Sequence, residues 1–413
     1  MEKNLKINGE RLWQSLMAMA EIGKTPKGGV CRLALTELDR EARDLFVRWC
    51  EAAGCTVTVD AIGSIFARRA GSDDSLPPVM TGSHLDSQPT GGKFDGAYGV
   101  MAGLEVIRTL NDLGIRTKAP IEAVVWTNEE GSRFAPAMTA SGVFAGKFTL
   151  ADALAIKDVD GVTMGEALEK IGYKGKLPAG GRRVGAFFEA HIEQGPILEA
   201  EARTIGVVTG AQGQRWYDAV VTGQDSHAGT TPMANRRDAM AGAARMIACL
   251  EKIAKAHAPH AVATVGMVRV HPNSRNVVPG RVAFSIDMRH PEEKELLAID
   301  AEMQRRFAAI ASEQRLELSL ERIANTEVVN FNPDCVSAVR NAAERLGHKH
   351  RDIVSGAGHD ACYLARVAPT GMIFVPCEGG LSHNEIENAT AGDLAAGCEV
   401  LLHAMLERAG IAE

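Results

Sequence analysis

The sequence predicts an α/β protein: a mixed sheet with helices on both faces, plus a smaller inserted α+β module. Three observations carry this expectation. In the first half of the chain, short apolar runs alternate with stretches of helical periodicity. The middle of the chain changes to alternating strands and long helices in a β-α-β-β-α-β order, the pattern of a compact module set into a larger domain. Helix and strand signals then return toward the C-terminus.

Taken in order, residues 10–19 and 35–53 space their apolar side chains as amphipathic helices do. Pro77-Pro78 precede the apolar run Val79-Met80-Thr81, a buried strand that ends at Gly82-Ser83-His84. Residues 96–113 are helical, with Val100, Leu104, Ile107 and Leu110 on one side. A second strand, 121–126, ends at Thr127-Asn128-Glu129-Glu130, and a third, 186–189, leads to His191. In the middle, residues 216–222 alternate as a strand with one exposed face, 236–256 form a long helix, 261–270 and 281–288 are strands, and 291–312 are helical. After about Asn325 come a helix at 336–346 and a strand at 371–375. The chain therefore reads as one catalytic domain, 1–210 with 326–413, carrying an inserted lid-like domain at 211–325.

A chain of 413 residues exceeds what one hydrophobic core usually serves, which agrees with two domains. Its 46% apolar and 23% charged residues are ordinary for a globular protein. A net charge of −7 argues against a nucleic-acid surface but leaves room for a small anionic substrate in a locally basic pocket. No apolar run is long enough to span a bilayer, and residues 1–10 lack the apolar core of a signal peptide, so the expected location is the cytoplasm. The eight cysteines show no C-x-x-C pair and read as reduced, mostly buried thiols.

Ionisable residues gather where strands end. His84 and Asp86 follow the first strand, Glu129 and Glu130 the second, His191 and Glu193 the third, and His383 the last; Asp95 lies in a glycine-flanked loop at the mouth of a helix. Active sites of open α/β sheets sit at such carboxyl ends. Imidazole and carboxylate suit zinc and its first-row neighbours. Three histidines and two or three carboxylates are too many for one catalytic ion with an open position. They suit two ions sharing a bridge, for which Asp95 is the natural choice. Asp86, two residues beyond His84, is placed to accept a hydrogen bond from the far ring nitrogen of that histidine. In the Glu-Glu pair, Glu130 is assigned as a ligand and Glu129 as the base that takes a proton from an acidified water and passes it to the leaving nitrogen. Singly, a histidine is usually a surface or core residue and a Glu-Glu pair is usually solvated. Their joint occurrence at consecutive strand ends favours a metal site.

Ser83-His84-Leu85-Asp86-Ser87, Gly92-Lys93-Phe94-Asp95-Gly96, Asn128-Glu129-Glu130-Gly131-Ser132-Arg133-Phe134 and His191-Ile192-Glu193-Gln194-Gly195 resemble the hydantoinase/carbamoylase amidase family. That family includes N-carbamoyl-L-amino acid hydrolases, β-ureidopropionases and allantoate amidohydrolases, and belongs with the dinuclear metallopeptidases. The resemblance runs from about Thr81 to Asn384. It implies a metallopeptidase-like catalytic domain with one metal on His84, Asp95 and His191 and another on Asp95, Glu130 and His383, with Glu129 as catalytic base. Zinc, manganese, cobalt and nickel all tolerate such a ligand set.

Within the inserted module, Ser226-His227-Ala228-Gly229-Thr230-Thr231-Pro232-Met233 resembles the family's lid motif, whose histidine polarises the substrate carbonyl on closure, often from the other subunit of a dimer. Arg275-Asn276-Val277-Val278-Pro279-Gly280 and Asp287-Met288-Arg289-His290 resemble the segments that grip the substrate carboxylate. Arg289 is the implied anchor, through two parallel hydrogen bonds, with Asn276 and Gln194 as further polar contacts. Ser355-Gly356-Ala357-Gly358-His359-Asp360 resembles a family loop in which Gly358 lets the backbone approach substrate. His359 is not assigned as a ligand, because five residues already fill the pattern. His257, His260, His271, His348, His350 and His403 are read as surface or loop residues. The implied reaction removes the ureido group from an N-carbamoyl-L-amino acid or N-carbamoyl-β-alanine, giving the amino acid, carbon dioxide and ammonia. Allantoate hydrolysis is the next reading, and an aminoacylase or peptidase-like activity or a non-catalytic binding protein are weaker ones. A homodimer is the expected assembly.

Overall fold

The apolar runs predicted as buried strands become the centre of a sheet whose parallel strands deliver the polar residues to one edge. The computed structural model describes residues 4–412; of the polar N-terminal stretch 1–10, residues 1–3 lie outside the described residues. In chain order the strands are β1 (Thr56–Val59), β2 (Ile65–Arg69), β3 (Val79–His84), β4 (Ile121–Trp126), β5 (Ala186–Ile192), β6 (Ile205–Ala211), β7 (Gly213–Thr222), β8 (Ser226–His227), β9 (Val262–Thr264), β10 (Val268–His271), β11 (Val277–Val278), β12 (Arg281–His290), β13 (Glu317–Thr326), β14 (Val329–Asn330), β15 (His350–Ser355) and β16 (Thr370–Val375).

The chain divides into two compact units, one made of Met1–Thr209 and Asn330–Glu413, the other of Gly210–Val329. The first holds a nine-stranded mixed sheet in the order β1-β2-β4-β3-β5-β16-β6-β14, with β15 beside β6. β3 runs parallel to β4 and β5, and β16 runs parallel to β5, so four neighbouring strands end along the same edge. Every residue of β3, β4, β5 and β16 is buried, as continuous apolar runs in a covered sheet require. Glu122 inside β4 and Glu189 inside β5 are acidic exceptions, and Arg68 and Arg182 meet Glu122 at 2.9 and 2.7 Å.

Helix Ala97–Asp112 lies on β3 and is buried on almost every side. Helix Glu37–Ala52 starts where the Thr36 side chain accepts the Asp39 N–H. Helix Pro333–Leu346 has a proline in its first turn and an asparagine cap. The C-terminal helix Ala391–Ala409 had no counterpart among the expected elements. It is buried around most of its circumference and packs on the helix at 97–112 and on β16.

The inserted unit has its own five-stranded sheet, β10-β12-β7-β13 with β9 beside β12. β7 and β12 alternate strictly between buried and partly exposed residues. Tyr217, Ala219 and Val221 of β7, with Phe284, Ile286 and Met288 of β12, meet Met246, Leu250, Met303 and Phe307 from helices Ala239–Ala256 and Glu293–Glu313 in one core. The strand expected over 261–270 is broken: residues 265–267 leave the ladder, and Ser285 bonds to Met267 through backbone and hydroxyl. All eight cysteines are free thiols. No helix among the described residues is long and apolar enough to cross a membrane.

Candidate metal centre

His84 is the last residue of β3, His191 the last but one of β5, Glu129 and Glu130 follow β4, and His383 follows β16. Asp95 reaches them from the loop ahead of the helix at 97–112. Its Oδ1 lies 3.5 Å from His84 Nε2 and 3.2 Å from His191 Nε2, and its Oδ2 lies 3.5 Å from His383 Nε2. Glu130 Oε2 is 3.4 Å from the same His383 nitrogen. Ligand atoms of His84, Asp95 and His191 therefore form one close group, and those of Asp95, Glu130 and His383 form another. Asp95 belongs to both. Gly96, at φ 65°, makes the approach possible, since a Cβ there would lie 2.4 Å from the His84 ring.

The donor chemistry fits a divalent cation. His84 Nδ1 lies 2.8 Å from the Asp86 carbonyl and His191 Nδ1 lies 2.9 Å from the Ile192 carbonyl. A carbonyl only accepts, so in each neutral ring the hydrogen sits on Nδ1 and the Nε2 lone pair faces the site. His191 Nε2 accepts the Gly96 N–H at 3.2 Å. Burial pushes Glu130 up to about 8, with Asp95 adding to the shift, and burial also holds Glu129 well above the usual carboxylate range against the pull of His84. A cation seated among these oxygens replaces protons that such crowding otherwise retains.

Asp86 departs from its expected role in one respect. The hydrogen bond from His84 goes to its main-chain oxygen, and its carboxylate Oδ1 stands 3.9 Å from the ring. That carboxylate instead accepts the N–H groups of Glu129 and Glu130, each at 3.2 Å, and so orients both glutamates from below. Glu129 Oε2 is 3.3 Å from His84 Nε2. Gln194, expected to touch substrate, donates to Asp95 Oδ2 at 2.7 Å. Glu193 points away from the centre and caps the short helix Ile197–Ala200 by accepting two of its N–H groups.

His359 is buried beside His191, with ring centroids 4.6 Å apart, and its Nε2 lies 3.0 Å from Ser355 Oγ. Burial and the neighbouring His191 hold it well below the usual histidine range. Gly358 faces Met138, whose methyl would lie 2.9 Å from an added Cβ. His403, expected at the surface, is buried in the C-terminal helix and bonded to Arg345.

In the inserted unit, β8 pairs with β11, which sets His227 opposite Val277 and bonds Ala228 N to Asn276 O at 2.9 Å. His227 Nδ1 accepts the N–H groups of Gly229 and Thr230 at 3.0 and 3.2 Å, so the ring hydrogen sits on Nε2. Arg289 forms an ion pair with Asp287 at 2.8 Å.

Several supporting residues were assigned no role from the sequence. Arg32 is buried and donates to Leu85 O at 2.6 Å and Ile22 O at 2.7 Å, fixing the loop that joins His84 to Asp86. Burial lowers its pKa to about 10, against the pull of Asp39 and Asp86. Glu189 accepts from Ser83 Oγ at 2.7 Å and Ala361 N at 2.9 Å, and Asp360 accepts from Ser141 Oγ at 2.5 Å. Glu387 ties together the loops of Asp95 and His383.

Residues 80–407 match the sequence profile of peptidase family M20/M25/M40. The chain is 50% identical over 411 residues to an N-carbamoyl-L-amino-acid amidohydrolase of Rhizobium meliloti, covering 100% of this chain and 99% of that one. It is 40% identical over 407 residues to the N-carbamoyl-L-amino acid amidohydrolase of Geobacillus stearothermophilus, covering 98% and 99%. Among solved structures, an amidase of the hydantoinase/carbamoylase family from Burkholderia multivorans superposes with a TM-score of 0.95 at 64% identity, over 98% of this chain and 99% of that one.

Proposed function

The chain belongs to peptidase family M20/M25/M40, and from that premise we propose that it is a metal-dependent amidohydrolase acting on N-carbamoyl-L-amino acids. The observation that carries this is the meeting of His84, Asp95, His191, Glu130 and His383 around one shared carboxylate, with Glu129 beside them. The two donor groups sharing Asp95 support two divalent ions, zinc, manganese, cobalt or nickel. Such ions, when bound, acidify water and polarise a carbonyl.

The residues of the chain do the rest. Glu129 takes a proton from the attacking water, whose oxygen bonds to the ureido carbon. It then delivers that proton to the amino-acid nitrogen as the C–N bond breaks. The amino acid leaves as a free amine, and the carbamate left behind splits into carbon dioxide and ammonia. Asp86 keeps Glu129 oriented through its hydrogen bond to the Glu129 N–H. His227, with its hydrogen on Nε2, is suited to donate to the ureido oxygen as negative charge develops there. Arg289 anchors the substrate carboxylate in this reading, with Asn276, Gln194 and the Gly358 backbone as further contacts. A cytoplasmic homodimer completes it.

The test is ammonia release by chelator-stripped enzyme reloaded with manganese, cobalt or zinc. The panel is several N-carbamoyl-L-amino acids, N-carbamoyl-β-alanine, allantoate and an N-acetyl amino acid. Metal-dependent release from the N-carbamoyl-L-amino acids is expected. Release from allantoate alone moves the assignment to that substrate, and hydrolysis of the N-acetyl compound alone, followed by its free amine, moves it to an aminoacylase.

A further inference from the structure

We infer that Glu387 is the positioning residue for one half of the metal centre, the half formed by Asp95, Glu130 and His383; the inference rests on the two-ion reading above. Its carboxylate is buried, 1% exposed, although it lies in a loop whose neighbours Asn384 and Ile386 are exposed. Oε1 accepts the N–H groups of Phe94 and Asp95 at 2.9 and 3.1 Å. Oε2 accepts the Ser382 hydroxyl at 2.9 Å. One side chain thus grips both the loop that carries the shared carboxylate and the loop that carries His383, although nearly three hundred residues separate them in sequence. Gly92 makes room for it, since a Cβ there would stand 2.0 Å from the Glu387 carboxyl carbon.

The two halves of the centre need this grip unequally. His84 and His191 sit within the sheet, and both rings are pinned at Nδ1 by carbonyls. His383 has no strand beneath it. Its backbone is left-handed, φ 52°, which a residue with a side chain holds only when its surroundings impose it. The ring is 52% exposed. What surrounds it is the turn closed by the Glu387 N–H on Asn384 O at 3.0 Å, and Ser382, whose hydroxyl lies between Glu387 Oε2 and Asp95 Oδ2 at 2.9 and 2.8 Å. Asp95 Oδ2 is the oxygen that faces His383. Removing Glu387 therefore frees the His383 loop and the outer oxygen of Asp95 together, and leaves the His84–His191 side standing.

The experiment titrates chelator-stripped protein with cobalt(II), counting bound ions by equilibrium dialysis and following the visible absorption of each site. Wild type should take two ions. In Glu387→Ala the tighter ion should bind as before, while the dissociation constant of the weaker one rises about 10- to 100-fold, the usual cost of losing a residue that orients a ligand. Glu387→Gln keeps the shape and one acceptor oxygen, and should show a smaller shift in the same ion. Ser382→Ala should move that ion in the same direction and keeps the inference testable if Glu387→Ala does not fold. The inference is overturned if both ions bind as in wild type, or if both weaken equally, as a general loosening would produce. A wild type that binds a single ion removes the two-ion reading, and the inference with it.

Discussion

At the sheet edge of the catalytic unit, His84, Asp86, Asp95, Glu129 and His191 are all buried, and each is held by backbone groups or by one another. In the inserted unit, His227 and Asn276 are exposed, and Arg289 pairs with a carboxylate two residues away on its own strand. The first arrangement is a preformed set of donors that a cation can complete. The second is a set of groups paired locally, which in the proposed function would exchange those partners for substrate. The buried, mutually bonded groups thus lie in the unit of the candidate metal centre, and the exposed or locally paired ones in the inserted unit.

This contrast can be broken in stages. Stripping the metal should abolish turnover, and reloading a divalent ion should restore it and raise the melting temperature, measured on the same sample; activity that survives stripping refutes the metal reading. Glu129→Gln should lower kcat on the order of 10²- to 10⁴-fold, the range for a lost general acid–base group. Metal content and melting temperature should stay at wild-type values, because the five residues proposed to hold metal remain. Arg289→Lys keeps the charge but loses the two-pronged geometry. It should raise KM about tenfold to a hundredfold with a lesser change in kcat, as expected when a hydrogen bond to a charged group is lost. If kcat falls instead and KM holds, Arg289 acts on the transition state and the division of labour between the units is wrong. The smallest effect is expected from Thr163→Ala, which removes a capping box at helix Met164–Ile171. It should cost about 1 kcal/mol of stability in denaturant unfolding and leave the steady-state kinetics unchanged.

What the sequence made legible follows the same division. The central strands announced themselves as apolar runs, and the ionisable residues after them as interruptions, so His84, Glu129, Glu130 and His191 were visible from local pattern alone. The helix at 391–409 was not read, although the similarly buried helix at 97–112 was. The broken strand at 265–267 was lost inside a run of apolar residues. Arg32, Glu189 and Glu387 act across 50 to nearly 300 residues of chain, as isolated charged side chains with no spacing to mark them. Asp86 shows the limit of spacing arguments. Its distance from His84 in sequence correctly brought the two together, but main chain and carboxylate exchanged the expected tasks.

The chain leaves the nine-stranded sheet on β6 and comes back on β14, and these two strands are hydrogen-bonded neighbours, with Phe331 N bonded to Thr209 O at 3.0 Å. The excursion of 120 residues between them thus starts and finishes at nearly one point. A chain that exits and re-enters side by side adds little loop-closure entropy to the host sheet. The insertion therefore has the geometry of a cassette: its two ends meet on neighbouring strands of the host sheet, while the strands that carry His84, Glu129, Glu130 and His191 lie elsewhere in that sheet.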